Sequence, residues 1–351
     1  MRSDNCETQG SVIPALRTAL VYALRMKTRA FGKHGIQVSE IGFGAWAIGG
    51  SWGPQSEDDS VAALDKALDL GVSFIDTAAG YGNGKSERII GKVLKERNDL
   101  DVFVATKTPP TSGNWPPSPY DIAEERYPES YLRENIEQRL ECLGSDKIDL
   151  LQLHTWTRAW NRRPTPFEAL RKLQQEGKVG LIGVSTPEHD QNSVIDLMRG
   201  GFIDAVQVIY NIFEQEPAAE LLDVAGETGT GVIVRVVFDE GALTGKFTKD
   251  TKFAEDDFRN GYFAGDRLER AVNRAEAVRA DLDGSGFSMA EAALKFALAH
   301  AAVSTVIPGM RNADQAVANC RVSEKSDLSE ELLLRLHGHN WRRAFWYGGK
   351  G

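Results

Sequence analysis

Eight short β-branched runs alternate with amphipathic helical stretches between residues 40 and 307, and this alternation constrains the fold more than any other feature. The runs are Glu40–Ala47, Val72–Asp76, Val102–Thr106, Ile148–His154, Val179–Val184, Ala205–Tyr210, Val232–Val237 and Ser304–Ile307. Helix signals fall between them. Leu132, Ile136, Leu140 and Leu143 recur on one helical face, and Gly144 then supplies a left-handed stop. Thr165-Pro166-Phe167-Glu168 is a capping box with Pro at the first helical position, and Ser288 with Glu291 opens a later helix in the same way. Strict βα alternation implies parallel strands joined by right-handed crossovers. Eight such units close a (β/α)8 TIM barrel as a single domain. A doubly wound sheet would carry a Gly-rich fingerprint in its first βα turn. Gly42-Phe43-Gly44 lacks the third glycine and opens no helix.

Composition narrows the function. A formal charge of −9 over 351 residues argues against a nucleic-acid partner, which would select a basic face. No apolar run approaches the roughly 20 residues that span a bilayer, so no membrane partner is expected. Cys6, Cys142 and Cys320 form no disulfide framework and none of the six histidines has a paired-ligand spacing. These features point to a reducing, cytoplasmic setting and to no metal. Residues 1–25 make no clean secretory signal and are expected to be a disordered or loosely docked extension, with the barrel domain running over 26–351.

In a (β/α)8 barrel the carboxyl ends of all strands open on one mouth, where chemistry sits. The second run ends at Asp76, the third is followed by Lys107, and the fourth ends at His154. Ser185 follows the fifth, and Gln207 lies near the end of the sixth. A strand-end Asp, Lys or His is individually explained as a cap, a solvated charge or a packing residue. Together, three ionisable groups on consecutive strands converge on one side of one mouth, where Asp76 and Lys107 can offset each other's charge. Tyr81 stands five residues beyond Asp76 in a Gly-rich loop. An adjacent ammonium is expected to depress its phenol toward neutral pH, making a tuned proton donor.

Gly71-Val-Ser-Phe-Ile-Asp76-Thr-Ala-Ala-Gly-Tyr81-Gly, Ala105-Thr-Lys107 and Leu150-Leu-Gln-Leu-His154 resemble the catalytic-tetrad segments of the aldo-keto reductase superfamily. The Tyr-Gly-x-Gly-x-Ser-Glu ending at Tyr81–Glu87 is similar to that of its bacterial-type members. The resemblance implies hydride transfer between a nicotinamide dinucleotide, NADP(H) more than NAD(H), and a small carbonyl or sugar substrate. It implies that Tyr81 gives the proton, Lys107 and Asp76 tune it, and His154 orients the carbonyl. It further implies that Ser185 and Gln207 hold the carboxamide and that Tyr210 stacks on the nicotinamide. Phe238, Gly241, Leu243, Gly245 and Lys246 would follow the pyrophosphate. Pro308, Gly309, Met310, Arg311, Gln315 and Asn319 would hold the adenosine end, with Arg311 facing a 2′-phosphate.

Two departures stand out. Val236 replaces a phosphate-binding hydroxyl, and Asp239 and Glu240 add negative charge near anionic ligands, while Arg235 can reach the phosphates or the substrate. Thr186 replaces the second member of the family's frequent Ser-Asn pair. Trp46, Trp52, Trp115 and Trp156, with Trp160, are expected at the mouth as substrate-pocket residues, and residues 256–263 as a lid. Two other classes stay open at this point: a non-catalytic subunit similar to potassium-channel β-subunits, and a metal-dependent barrel enzyme.

Overall fold

The computed structural model describes residues 26–50 and 52–341; the expected extension over 1–25 lies outside the described residues. An antiparallel hairpin, β1 (Thr28–Phe31) and β2 (Ile36–Ser39), comes first. Eight parallel strands follow: β3 (Phe43–Gly44), β4 (Phe74–Asp76), β5 (Phe103–Thr108), β6 (Ile148–Leu153), β7 (Val179–Ser185), β8 (Ala205–Ile209), β9 (Gly231–Arg235) and β10 (Val303–Val306). They pair in chain order, and bridges from Ile41 to Val306 and from Gly44 to Gly309 join the first strand to the last. The expected (β/α)8 barrel is therefore the fold.

Two details differ from the sequence expectation. The hairpin was not foreseen, because its strands are four residues each and carry charged or polar residues rather than a clean apolar alternation. The first barrel strand shrinks from Glu40–Ala47 to Phe43–Gly44, since its flanks close the barrel through isolated bridges instead of a continuous ladder.

Side chains alternate between the barrel interior and the helical layer with period two. Phe74, Ala105, Leu150, Leu181, Ala205 and Ile233 form one apolar cluster inside the barrel, and Phe31 of the hairpin plugs it, its ring 5.5 Å from Phe74 and 5.3 Å from Phe103. Counting two residues up each strand from this layer reaches Asp76, Lys107, Gln152, Gly183, Gln207 and Arg235. The plug closes one end, and the polar row lines the other. The intervening residues face outward into a larger core shared with the helices. Among the described residues no helix is long and apolar enough to cross a membrane.

Candidate active site

Lys107 is fully buried and its ammonium spends all three protons inside the mouth. It donates to Asp76 Oδ2 at 2.6 Å, to the Thr77 carbonyl at 2.8 Å and to the Tyr81 phenolic oxygen at 3.2 Å. The other Asp76 oxygen accepts from the amides of Gln207 at 2.7 Å and Gln152 at 3.2 Å. Because Lys107 gives a proton to the Tyr81 oxygen, the phenol's own O–H is not spent on that pair. The His154 ring lies edge-on, 6.1 Å from the Tyr81 ring. The structure thus brings Asp76, Tyr81, Lys107 and His154 to one place.

The Tyr81 loop is shaped by a left-handed run. Gly82, Asn83 and Gly84 all have positive φ, a conformation suited to Gly and Asn. A Cβ on Gly82 would collide with the Gly49 carbonyl oxygen. The turn then feeds the helix Lys85–Glu96, whose Ser86 N–H donates to the Tyr81 carbonyl.

Burial raises the Tyr81 pKa above its ordinary value; Lys107 pulls it down and Asp76 pushes it up. This corrects the expectation of a depressed phenol. The ammonium's charge is matched by Asp76, so desolvation of the phenolate decides the direction. For Lys107, burial opposes the charge, but Asp76 and Tyr81 outweigh it and the ammonium titrates above the usual lysine range. Burial first, then Lys107 and Arg235, hold the His154 pKa well below its usual value. A neutral imidazole faces a protonated phenol at physiological pH.

Ser185 pairs with Gln207 across the β7–β8 ladder, on the interior face. The Gln207 Oε1 atom is buried without a hydrogen-bond partner, as is the Nε of Arg235. An unpaired buried acceptor is costly and suits a carboxamide N–H, so this wall fits a nicotinamide. Arg235 also donates from Nη2 to the Thr186 carbonyl at 2.9 Å and to Glu188 at 3.2 Å. The sequence alone leaves the target of Arg235 open and does not single out Gln152. The period-two count from Ile233 and Leu150 identifies both.

Two expectations fail on that same parity. Tyr210 lies on the outward face with Val206 and Val208, buried 5.5 Å from the Phe296 ring, so it cannot stack on a ring in the mouth. Trp156 is fully buried between Trp160 and Phe167, with its indole N–H on Asn161, and belongs to the outer core. Trp160 packs there with it. Trp46, Trp52 and Trp115 do reach the mouth: Trp46 stacks on Tyr81 at 6.1 Å, Trp52 meets Trp46 edge-on, and Trp115 meets His154 at 5.3 Å. Phe258, from the expected lid, lies 4.6 Å from Trp46 and 4.9 Å from Trp52. The neighbouring Arg259 is sandwiched between Trp52 and Phe253 at 4.7 Å from each ring.

Phe238 precedes a 3-10 segment, Asp239–Thr244, in which Gly241 and Leu243 are buried. Gly245 follows at φ 72°, its carbonyl bound by Arg279, and Lys246 is exposed. Val236, Asp239 and Glu240 hold positive φ without being glycine, a strained arrangement for this stretch. At the other end, Arg311 donates to Gln55 and to the Pro54 carbonyl, and its backbone N–H binds Gln315. Asn319 reaches the Gly309 carbonyl at 3.5 Å, Pro308 and Met310 are buried, and Gly309 is open.

Burial, reinforced by Asp239 and opposed by Arg235, pushes Glu240 up to about 8. Its native pKa exceeds the unfolded value of about 4.3, so the native state holds the extra proton between them. Stability therefore falls as pH rises through that window. The melting temperature is expected to drop between about pH 4 and pH 8, and Glu240→Gln is expected to flatten the drop. An equal slope in both proteins would contradict it.

A parallel (β/α)8 barrel with a phenol, ammonium, carboxylate and imidazole gathered at its mouth defines a class of oxidoreductase. The chain belongs to the aldo/keto reductase family, whose sequence profile matches residues 40–340. It is 35% identical over 238 residues to aldo-keto reductase YhdN of Bacillus subtilis, covering 67% of this chain and 69% of that protein. It is 28% identical over 326 residues to a D-threo-aldose 1-dehydrogenase of a Pseudomonas species, covering 86% and 96%. A solved glycerol dehydrogenase from Gluconobacter oxydans superimposes with a TM-score of 0.72 at 26% identity, covering 89% and 96%. Family membership makes this chain an NAD(P)-dependent enzyme of carbonyl–alcohol chemistry. Among the described residues no group of three or more His, Cys, Asp or Glu could hold a metal ion.

Proposed function

We propose that this enzyme reduces an aldehyde or small ketone, or in reverse oxidises a sugar lactol or secondary alcohol, with Tyr81 exchanging the proton. The observation that carries this is the Lys107 ammonium, saturated by Asp76, Thr77 and Tyr81 so that the phenol O–H is free to face a substrate. A reduced nicotinamide, when bound, supplies the hydride at its C4. Ser185 and Gln207 would hold its carboxamide, and the Phe238–Lys246 segment and the residues Pro308–Arg311, Gln315 and Asn319 its phosphates and adenosine.

Charge builds on the carbonyl oxygen as the carbon accepts hydride. Tyr81, from the loop after β4, and neutral His154, at the end of β6, offer two donors to that oxygen, which stabilises the transition state more than the ground state. The raised phenol pKa keeps the proton in place until the oxygen becomes basic enough to take it. Lys107 then stabilises the phenolate left behind, and Asp76 keeps the ammonium charged and oriented. Trp46, Trp52, Phe258 and Trp115 wall the approach with aromatic faces. Such faces suit the apolar side of a sugar ring or an aromatic aldehyde, and the D-threo-aldose dehydrogenase and glycerol dehydrogenase relatives lend support to a hydroxylated substrate.

NADP(H) is the proposed dinucleotide, with Arg311 the residue that meets the 2′-phosphate. Titration of intrinsic tryptophan fluorescence is expected to show NADPH binding at least about tenfold tighter than NADH, and Arg311→Ala to erase the difference. That ratio corresponds to roughly 1.4 kcal/mol, within the range of one charge-assisted contact. Equal affinities in the unmodified protein would contradict the assignment.

A further inference from the structure

The Ser86-Glu87 pair closes the motif that begins at Tyr81, yet neither residue faces the mouth. Both are fully buried in the first turn of the helix Lys85–Glu96. Their bonds run to the immediate neighbours of the proposed catalytic groups. Thr77, next to Asp76, donates to Ser86 Oγ at 2.9 Å, and Ser86 donates on to the Ala45 carbonyl at 2.9 Å. Thr106, next to Lys107, turns outward and donates to Glu87 Oε1 at 2.6 Å. The Ser86 N–H holds the Tyr81 carbonyl. One helix start is thus tied to three of the four groups through a single chain neighbour or the residue itself.

Glu87 is more than a hydrogen-bond acceptor. Its second carboxylate oxygen lies 3.2 Å from the guanidinium of Arg139, from the helix Glu129–Leu143, with the two side chains 0% and 7% exposed. A neutral Gln could accept from Thr106 equally well. A buried ion pair is costly to desolvate and contributes little net stability over an uncharged substitute. Its presence directly behind the Lys107 strand therefore suggests a role for the charge itself.

We infer that Glu87, balanced by Arg139, is a positioning residue of this site, setting β5 and its Lys107 in place through Thr106 and keeping the layer behind Lys107 electrically neutral. This rests on the reading of Tyr81 and Lys107 given above. The phenol is faced by Lys107 from β5, Asp76 from β4, His154 after β6 and Arg235 from β9. Glu87 is faced by Arg139, by Arg88 of its own helix and by Lys107. Removing the carboxylate alone unmasks a cation behind the site, which favours the phenolate.

The test is the pH dependence of kcat for carbonyl reduction in a set of variants whose folding is checked by thermal melting. Glu87→Gln is expected to lower kcat about tenfold with KM nearly unchanged, well inside the ~100-fold that a 1 Å misplacement can cost. Its alkaline limb, where Tyr81 loses its proton, moves to lower pH. The charge-neutral double variant Glu87→Gln/Arg139→Met returns the limb to the position of the unmodified enzyme. Thr106→Val, which keeps both charges, lowers kcat without moving the limb. A Glu87→Gln limb that stays in place, or one that stays displaced in the double variant, overturns the inference. If Glu87→Gln does not fold, an unchanged kcat in Thr106→Val overturns it. Failure of the underlying reading looks different: Tyr81→Phe would then turn over normally.

Discussion

Tyr81→Phe is expected to lower kcat for carbonyl reduction by about 10²–10⁴-fold, the usual loss when a positioned proton donor is removed. Dinucleotide affinity should hardly change, because the hydroxyl faces the substrate side and the aromatic ring, with its stack on Trp46, is retained. The fold should also survive: the phenol oxygen accepts one of three Lys107 bonds, at 3.2 Å the longest of the set. Steady-state rates with a simple aldehyde and a fluorescence titration on the same preparation check both halves. Normal turnover in the variant would remove Tyr81 from the chemistry.

Lys107→Met should be the more damaging change. It removes the cation that stabilises the phenolate and also leaves Asp76, 2% exposed, buried beside two amides without its counter-charge. Breaking a buried pair from one side typically costs about 3–5 kcal/mol, a large share of a typical domain's stability. Loss of activity together with a large fall in melting temperature is expected. The double variant Lys107→Met/Asp76→Asn should regain stability without regaining activity, because it removes the orphaned charge and not the catalytic deficit. If the single variant keeps its melting temperature, the Lys107–Asp76 pair is not the strut the geometry describes.

Much of the fold and the central cluster was legible in the sequence for one reason. Strand runs ending in Asp76, Lys107 and His154 can meet only if parallel strands bring their carboxyl ends together, and the alternation of elements already required that. What the sequence hid follows from parity. Tyr210 lies three residues after Gln207, an odd step that turns it into the helical layer, whereas Arg235 lies two after the interior Ile233 and so faces the mouth. Trp156, beyond the end of β6, is drawn outward by Trp160 and Phe167, a tertiary contact with no local signature. The direction of the Tyr81 shift is not legible in the sequence, because a loop residue's burial cannot be read from its spacing to a lysine. Phe258 came to light only with the long segment after β9 folded back onto Trp46 and Trp52.

The charges around the mouth are largely paired. Lys107 and Asp76 cancel, Glu87 and Arg139 cancel behind them, and His154 is neutral, so in the proposed reaction the substrate oxygen would meet two neutral donors backed by one paired ammonium. Arg235, which also faces the mouth, is held by the largely exposed Glu188 and is the cation of the mouth without a buried counter-charge.

Hydride tracing follows the transfer that Tyr81 is proposed to complete. The purified enzyme is given a simple aldehyde and reduced dinucleotide carrying deuterium at C4 on one face or the other, and the alcohol is weighed by mass spectrometry. Deuterium is expected in the alcohol from one face alone, delivered by the unmodified enzyme and all but abolished in Tyr81→Phe that still binds dinucleotide. Deuterium appearing equally fast in both proteins, or in neither, would contradict it.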